Sequence, residues 1–190
     1  IGAPPIRDGW VTVHEGRIVG GGPGTHVGNG RDADLSRVAL MPGLVNAHTH
    51  LELSHLRGRI PPAAEFTAWV RQVIASRRSQ PDIDRKAIID GIGSGIQEAL
   101  TCGTAVVGDI SNTLATFSAL SASALAAVVF YELLGFNVED AQALVDAASR
   151  QMEALGAPGH VRLSLAAHAP YSVAPLLFRA IRKAVDRDPF

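Results

Sequence analysis

His48 and His50 stand two residues apart in the stretch "MPGLVNAHTHLELSHLRG", residues 41–58, with His55 close behind. Residues at i and i+2 of a β-strand project from the same face. Two neutral imidazoles so placed can reach one metal ion at about 2.0–2.1 Å without bending the backbone, and zinc is the natural occupant. A catalytic zinc takes about three protein ligands and keeps a position open for water, whose pKa it lowers toward about 7. The pair is therefore an incomplete metal site that needs partners from elsewhere in the fold.

A short apolar run carries the pair. Read as a strand from Leu40 to His50, it places Asn46, His48 and His50 on one face at its C-terminal end, with Glu52 next in register. A second run, "VRLSLAAHAPYS", alternates in the same way. Val161, Leu163, Leu165 and Ala167 share one face; Arg162, Ser164, Ala166 and His168 share the other. In a βα-barrel the greasier face meets the helices, the second points inward, and active sites form at the C-terminal ends of the strands. His168 thus converges on the same place as His48 and His50.

Between these runs, strands alternate with helical periods, which implies βα units on a parallel sheet. Phe66, Trp69, Val70, Val73 and Ile74 mark one helix face, and Ile88, Ile92, Ile96, Ala99 and Leu100 another. Glycines 91, 93 and 95 in the second helix each cost about 1 kcal/mol relative to alanine, so packing must hold it. "TAVVGDI" and "AAVVFYELL" read as the second and third strands, the latter apolar on both faces. Ser111 and Asn112 are cap candidates for a short helix, and residues 139–155 form a clear amphipathic one. The fold class is α/β: residues 44–190 supply four βα units, the N-terminal half of a (β/α)8 TIM-type barrel. Residues 1–43 are a small β appendage, with a hairpin in "WVTVHEGRIVGGGPG" and its glycine-rich stretch, "GGGPGTHVGNG", read as a loop.

Composition excludes several classes. Hydrophobic residues make up 47% and charged ones 18%, as in a globular protein, and the net charge of −1 comes with scattered basic residues. No nucleic-acid surface and no membrane segment is expected. The single cysteine, Cys102, read as buried filler, excludes an internal disulfide and fits a reducing compartment, so a cytoplasmic location is expected.

"PGLVNAHTHLELSHLRG", "FTAWV", "GTAVVGD" and "AAHAPYSV", in that order, resemble the amidohydrolase superfamily, in its branch of aminohydrolases and chlorohydrolases acting on nitrogen heterocycles. "NAHTHLELS" is similar to the corresponding stretch of aminofutalosine-type deaminases. The resemblance implies a metal-dependent hydrolase that removes an amino group or halide from a small heterocyclic substrate by attack of metal-bound hydroxide. It assigns His48 and His50 to the metal, zinc or alternatively iron, one ion per active site. His168 matches a histidine that contacts substrate near the metal, a metal-ligand role being the other reading. Trp69 matches a tryptophan of the first helix, in core packing or substrate contact. The appendage matches part of a small β-sandwich. The bridging lysine of the superfamily's two-metal members has no counterpart between Val161 and Ser172, which argues for one ion.

The remaining family residues (a third metal histidine, an acidic glutamate, a further histidine and an aspartate) have no counterpart here. A full barrel takes about 250 residues. The chain is therefore expected to be truncated, with its catalytic acid and base beyond Phe190 or on another chain; a homo-oligomer stays open. A half-barrel serving as an assembly or metal-binding module is the alternative function. Glu52 is a candidate for substrate or the ion, against a water-bound loop carboxylate. Glu132, among apolar strand residues, needs a partner near the strand end and could bind substrate there. Asp109 is a candidate cap for the following helix. His55 reads as a loop residue, and His14, His26 and His160 as exposed turn residues.

Overall fold

The computed structural model describes residues 4–26, 28, 30–79, 85–156 and 159–187. Two positions of the glycine-rich loop and the outermost residues at each end, including the close of "DRDPF", lie outside these. The chain divides into two compact units, Ile1–Met41 and Pro42–Phe190.

The first unit holds an antiparallel hairpin of β1 (Gly9–His14) and β2 (Arg17–Pro23). Its turn places Glu15 and Gly16 at φ of 48° and 75°, the left-handed pair that suits a tight hairpin. β2 extends further than the loop expected at "GGG": Gly20, Gly21 and Gly22 pair with Thr12, Val11 and Trp10. The physical reason is the Trp10 indole, which lies over Gly20 and Gly22 so closely that a Cβ there would sit 3.3 and 3.4 Å from its ring. The missing side chains make room for the ring, and His26 stacks on Trp10 at 4.0 Å.

The second unit is built on a parallel sheet of four strands in the order β3-β4-β5-β6: Leu44–Thr49, Thr104–Ser111, Ala126–Leu133 and Val161–Ala167. Sequential parallel neighbours joined by helices are the first-half pattern of a βα-barrel. Among the described residues β3 pairs with β4 alone and β6 with β5 alone, so both are edges. A 3-10 segment, Leu51–Leu56, follows β3 directly; α1 (Phe66–Ser79), α2 (Arg85–Thr101), α3 (Phe117–Ser121), α4 (Ala141–Glu153) and α5 (Pro175–Arg187) complete the unit. Asp140 starts α4 by accepting the Ala143 N–H at 2.9 Å.

Register fixes the faces. Val107, Ala127 and Val161 form one cross-strand row, and Asp109, Val129 and Leu163 the next. These rows meet the helices: Val107, Val129 and Val161 are fully buried with Ile92 and Ile96 of α2 and Leu120 of α3. A second cluster joins Leu133 and Leu165 to Val145 of α4 and Leu177 and Ile181 of α5. Full burial of each such side chain stabilises by about 1.5–3 kcal/mol. On the opposite face stand Gly108, Val128 and Arg162, then Ile110, Phe130 and Ser164, then Glu132 with Ala166. The inward set expected for β6 is thus the one the pairing yields.

Two readings need correction. The apolar stripe of α1 joins neither core cluster: Phe66 is 72% and Trp69 40% exposed, their rings stacked 6.0 Å apart. Helical periodicity marks a face that can be buried, not one that is. Cys102 is exposed, because it lies past the last residue of α2, where the chain turns through Gly103 at φ 80°.

Glycines 91 and 95 show why α2 tolerates poor helix formers. A Cβ on Gly91 would come 2.7 Å from the His55 nitrogen, and one on Gly95 2.7 Å from Ser54 Oγ. They form a seam into which the 3-10 segment seats, just behind His50. Gly93, on the other side, has nothing within 4 Å.

Candidate active site

The candidate residues gather at the C-terminal end of the sheet. His48 lies near the end of β3 and His50 one residue past it, their ring centroids 5.1 Å apart and their planes 72° apart. Asn46 does not share their alternation. The pairing slips between Asn46 and Thr49, and Asn46 Oδ1 turns back to accept the His48 N–H at 3.3 Å. Asn46 pairs with Val107 and Thr49 with Asp109, both helix-facing, which leaves His48 and His50 together on the other side of Thr49.

The close approach of β3 to β4 depends on Gly108, where a Cβ would sit 2.4 Å from the Ala47 carbonyl oxygen. Asp109, next along, is fully buried and does not cap the helix that follows it. Its Oδ1 accepts the Leu51 N–H at 2.8 Å and the Thr49 hydroxyl at 3.1 Å, gripping the chain on both sides of His50. Its Oδ2 is buried without a hydrogen-bond partner among the described residues. Burial pushes the carboxyl above its ordinary value of 3.8, against the pull of the Leu51 N–H and the Thr49 hydroxyl, and the charge of Glu52 adds to the rise.

Glu52 is 4% exposed and is no water-bound loop carboxylate. It accepts the Ser111 hydroxyl at 2.9 Å, the Thr113 hydroxyl at 2.8 Å and the Asn112 N–H at 3.1 Å. Ser111 Oγ in turn accepts the Leu114 N–H at 2.8 Å, so it shapes the turn after β4, while α3 starts without a side-chain cap. Asn112 donates its side-chain amide to Glu132 Oε2 at 2.9 Å, the partner that this carboxylate required. His168, one residue past β6, donates its N–H to the Leu133 carbonyl at 3.2 Å. Side-chain hydrogen bonds therefore join Glu52 to the turn after β4 and, through Asn112, to Glu132 of β5, a belt across three strand ends. Backbone pairing carries on from Leu133 to His168.

Sequence reasoning names Glu52, Glu132 and His168 and reads Ser111 and Asn112 as helix caps, missing the bonds that join Glu52 to the β4 turn and Asn112 to Glu132. Asp109 and Ser111 sit at alternate positions of a strand that from Ala105 onward is otherwise apolar residues and glycine; polar groups that must be buried and bonded are the signal that points to them. His55 lies in the 3-10 segment with Nδ1 2.9 Å from the Glu52 carbonyl. His14, His26 and His160 are exposed.

Among the described residues no group of three or more His, Cys, Asp or Glu could hold a metal ion. The histidine pair fits such an ion as two of the four positions zinc fills. No described helix is long and apolar enough to cross a membrane.

Residues 39–188 match the Amidohydrolase family. An adenosine deaminase of Helicobacter pylori is 33% identical over 140 residues, 70% of this chain and 32% of its own length. A 5-methylthioadenosine/S-adenosylhomocysteine deaminase of Nitratidesulfovibrio vulgaris is 29% identical over 184 residues, 92% of this chain and 41% of its own. Among solved structures, the Helicobacter pylori aminofutalosine deaminase in complex with methylthio-coformycin aligns with a TM-score of 0.63 at 28% identity, over 77% of this chain and 35% of that one. The Arthrobacter aurescens atrazine chlorohydrolase complexed with zinc shares the fold, with a TM-score of 0.65 at 19% identity over 77% of this chain and 38% of its own. The chain spans between a third and about two-fifths of the length of these relatives. With the match covering most of its residues, the chain belongs to the amidohydrolase family.

Proposed function

We propose that the protein carrying this chain hydrolyses a C–N bond on a nitrogen heterocycle, replacing an exocyclic amino group with oxygen from water and releasing ammonia. The observation that carries this reading is that the His48–His50 pair and His168 stand at the same end of a parallel sheet in an amidohydrolase. The relatives named as deaminases of adenosine and methylthioadenosine favour an adenine-type nucleoside as the first substrate to try, with other amino-heterocycles and halide displacement after it. They also weigh against a purely structural half-barrel.

His48 and His50 hold the metal ion, with zinc favoured by the zinc-bound neighbour and iron the alternative. When bound, such an ion supplies a nucleophile from water near neutral pH. His168 and Glu132 contact the heterocycle, Glu132 being half-buried and oriented by Asn112. Glu52, whose oxygens are occupied by protein donors, acts by holding the β4 turn against the segment behind His50. Residues 1–43 contribute to a small β-sandwich, and residues 44–190 are the first four βα units of the barrel.

The test is elemental analysis of the intact protein, purified without added metal, beside a His48→Ala/His50→Ala variant, with ammonia release measured from adenosine, 5′-deoxyadenosine and methylthioadenosine. Near-stoichiometric metal lost in the variant, with ammonia released by the parent, supports the proposal. Absence of metal overturns the site, and metal without ammonia from any amino-heterocycle tried overturns the reaction in favour of a binding module.

A further inference from the structure

We propose that Ser172 fixes the tautomer of His168, keeping a proton on Nδ1 and making Nε2 the ring's working nitrogen. The role of His168 toward substrate rests on the function proposed above; the tautomer rests on hydrogen-bond counting alone.

β6 ends at Ala167, and the chain turns through His168–Ser172 before α5. His168 Nδ1 lies 2.6 Å from Ser172 Oγ, and that hydroxyl lies 2.9 Å from the Ala169 carbonyl oxygen. A serine hydroxyl has one proton to give and lone pairs to receive with; a carbonyl oxygen can only accept; a neutral imidazole nitrogen does either, according to its proton. If the hydroxyl donates to Ala169 and Nδ1–H donates to the hydroxyl, both short contacts are hydrogen bonds. If the hydroxyl instead donates to a bare Nδ1, the contact with Ala169 sets two acceptors against each other. The first arrangement makes two bonds where the second makes one, and Ser172 thereby selects the Nδ1–H form.

The consequence falls on the other nitrogen. No described residue hydrogen-bonds Nε2. In the neutral ring it carries a lone pair and accepts an N–H or O–H from a ligand. When the ring gains a proton, it does so at Nε2, and the bond from Nδ1–H to Ser172 persists in both charge states.

The turn does not need the serine side chain. The Ser172 N–H donates to Ala169 at 2.9 Å, the Ser172 carbonyl accepts the Gly135 N–H at 2.9 Å, and the Ala174 N–H reaches the Gly135 carbonyl at 2.8 Å. These backbone bonds tie the turn to the chain just past β5 and remain in a Ser172→Ala variant. Tyr171, edge-on to the imidazole at 6.0 Å, also remains.

The experiment is nitrogen NMR of the intact protein labelled with 15N-histidine, with His168 assigned by loss of its signals in His168→Gln. At a pH where the ring is neutral, His168 is expected in the Nδ1–H form. Ser172→Ala should shift it toward the Nε2–H form, and Ser172→Thr should restore the parent pattern. An Nε2–H ring in the parent, or a Ser172→Ala spectrum unchanged at His168, overturns the proposal. With an amino-heterocycle that the parent deaminates, Ser172→Ala should raise KM about three- to tenfold, the loss of one hydrogen bond, while Ser172→Thr stays near parent. A parent that deaminates nothing overturns the proposed function and leaves the tautomer to be decided by the spectrum.

Discussion

The Glu52 carboxylate accepts the backbone N–H of Asn112 at 3.1 Å, and Asn112 passes its side-chain amide on to Glu132 at 2.9 Å. One asparagine thus links two carboxylates that sequence reasoning named independently, and through them the ends of three strands.

Removal of Glu52 should expose that dependence. Glu52→Ala leaves the Ser111 and Thr113 hydroxyls and the Asn112 N–H without their acceptor, a cost of about 3 kcal/mol at a buried site. Glu52→Gln keeps the shape but turns one oxygen into a donor, and should lose about half as much. Denaturant midpoints at constant slope measure both; a Glu52→Ala variant within about 0.5 kcal/mol of parent would sink the belt as a source of stability.

Asn112→Asp should act through charge. A second carboxylate would face Glu132 across a 2.9 Å contact that now holds a donor. The variant should be close to parent at low pH, where one of the two carboxyls is protonated, and fall behind as pH rises past the carboxylate range. A loss independent of pH would show that the amide's shape, not its protons, is what matters.

Asp109 gives a pH prediction of its own. Its folded-state pKa is raised above 3.8, so the native chain binds more protons than the unfolded chain between that value and the folded one. The contribution of the neutral carboxyl is therefore complete below 3.8 and is lost as pH rises through the raised value. Asp109→Asn keeps an acceptor for Leu51 and Thr49 and adds a donor beside the unbonded Thr116 hydroxyl. Its stability relative to parent should improve steadily from acid toward neutral pH. A flat difference across a series of unfolding curves would refute this.

The two glycines of α2 should respond oppositely. Gly91→Ala puts a methyl 2.7 Å from the His55 backbone and should destabilise by about 1–3 kcal/mol despite the better helix former. Gly93→Ala meets nothing within 4 Å and should stabilise by about 1 kcal/mol. Thermal melts of the pair decide it: equal shifts would mean that helix propensity alone governs α2.

What the sequence made legible follows from the range of the interactions. His48, His50 and His168 could be placed because parity along a single strand is local information, and the four strands and α4 because their apolar periods are. Ser111 and Asn112 read only as helix caps and Thr113 has no readable role, since their acceptor, Glu52, lies about sixty residues back and only the β3–β4 register brings it near. Composition misled at Gly20–Gly22, whose strand depends on a tryptophan of the facing strand. Periodicity misled at α1, where Phe66 and Trp69 form an apolar face that neither core covers.

β3 pairs on one side only among the described residues, whereas β4 and β5 are bonded on both. Backbone hydrogen bonds of an edge strand open with less free energy than those of a sheet interior. The two imidazoles therefore ride on a strand whose amides should exchange with solvent deuterium sooner than those of β4 and β5. Any strand added along that edge would slow the exchange and steady the imidazoles together, so order at the histidine pair and occupancy of the β3 edge are one equilibrium seen from two ends.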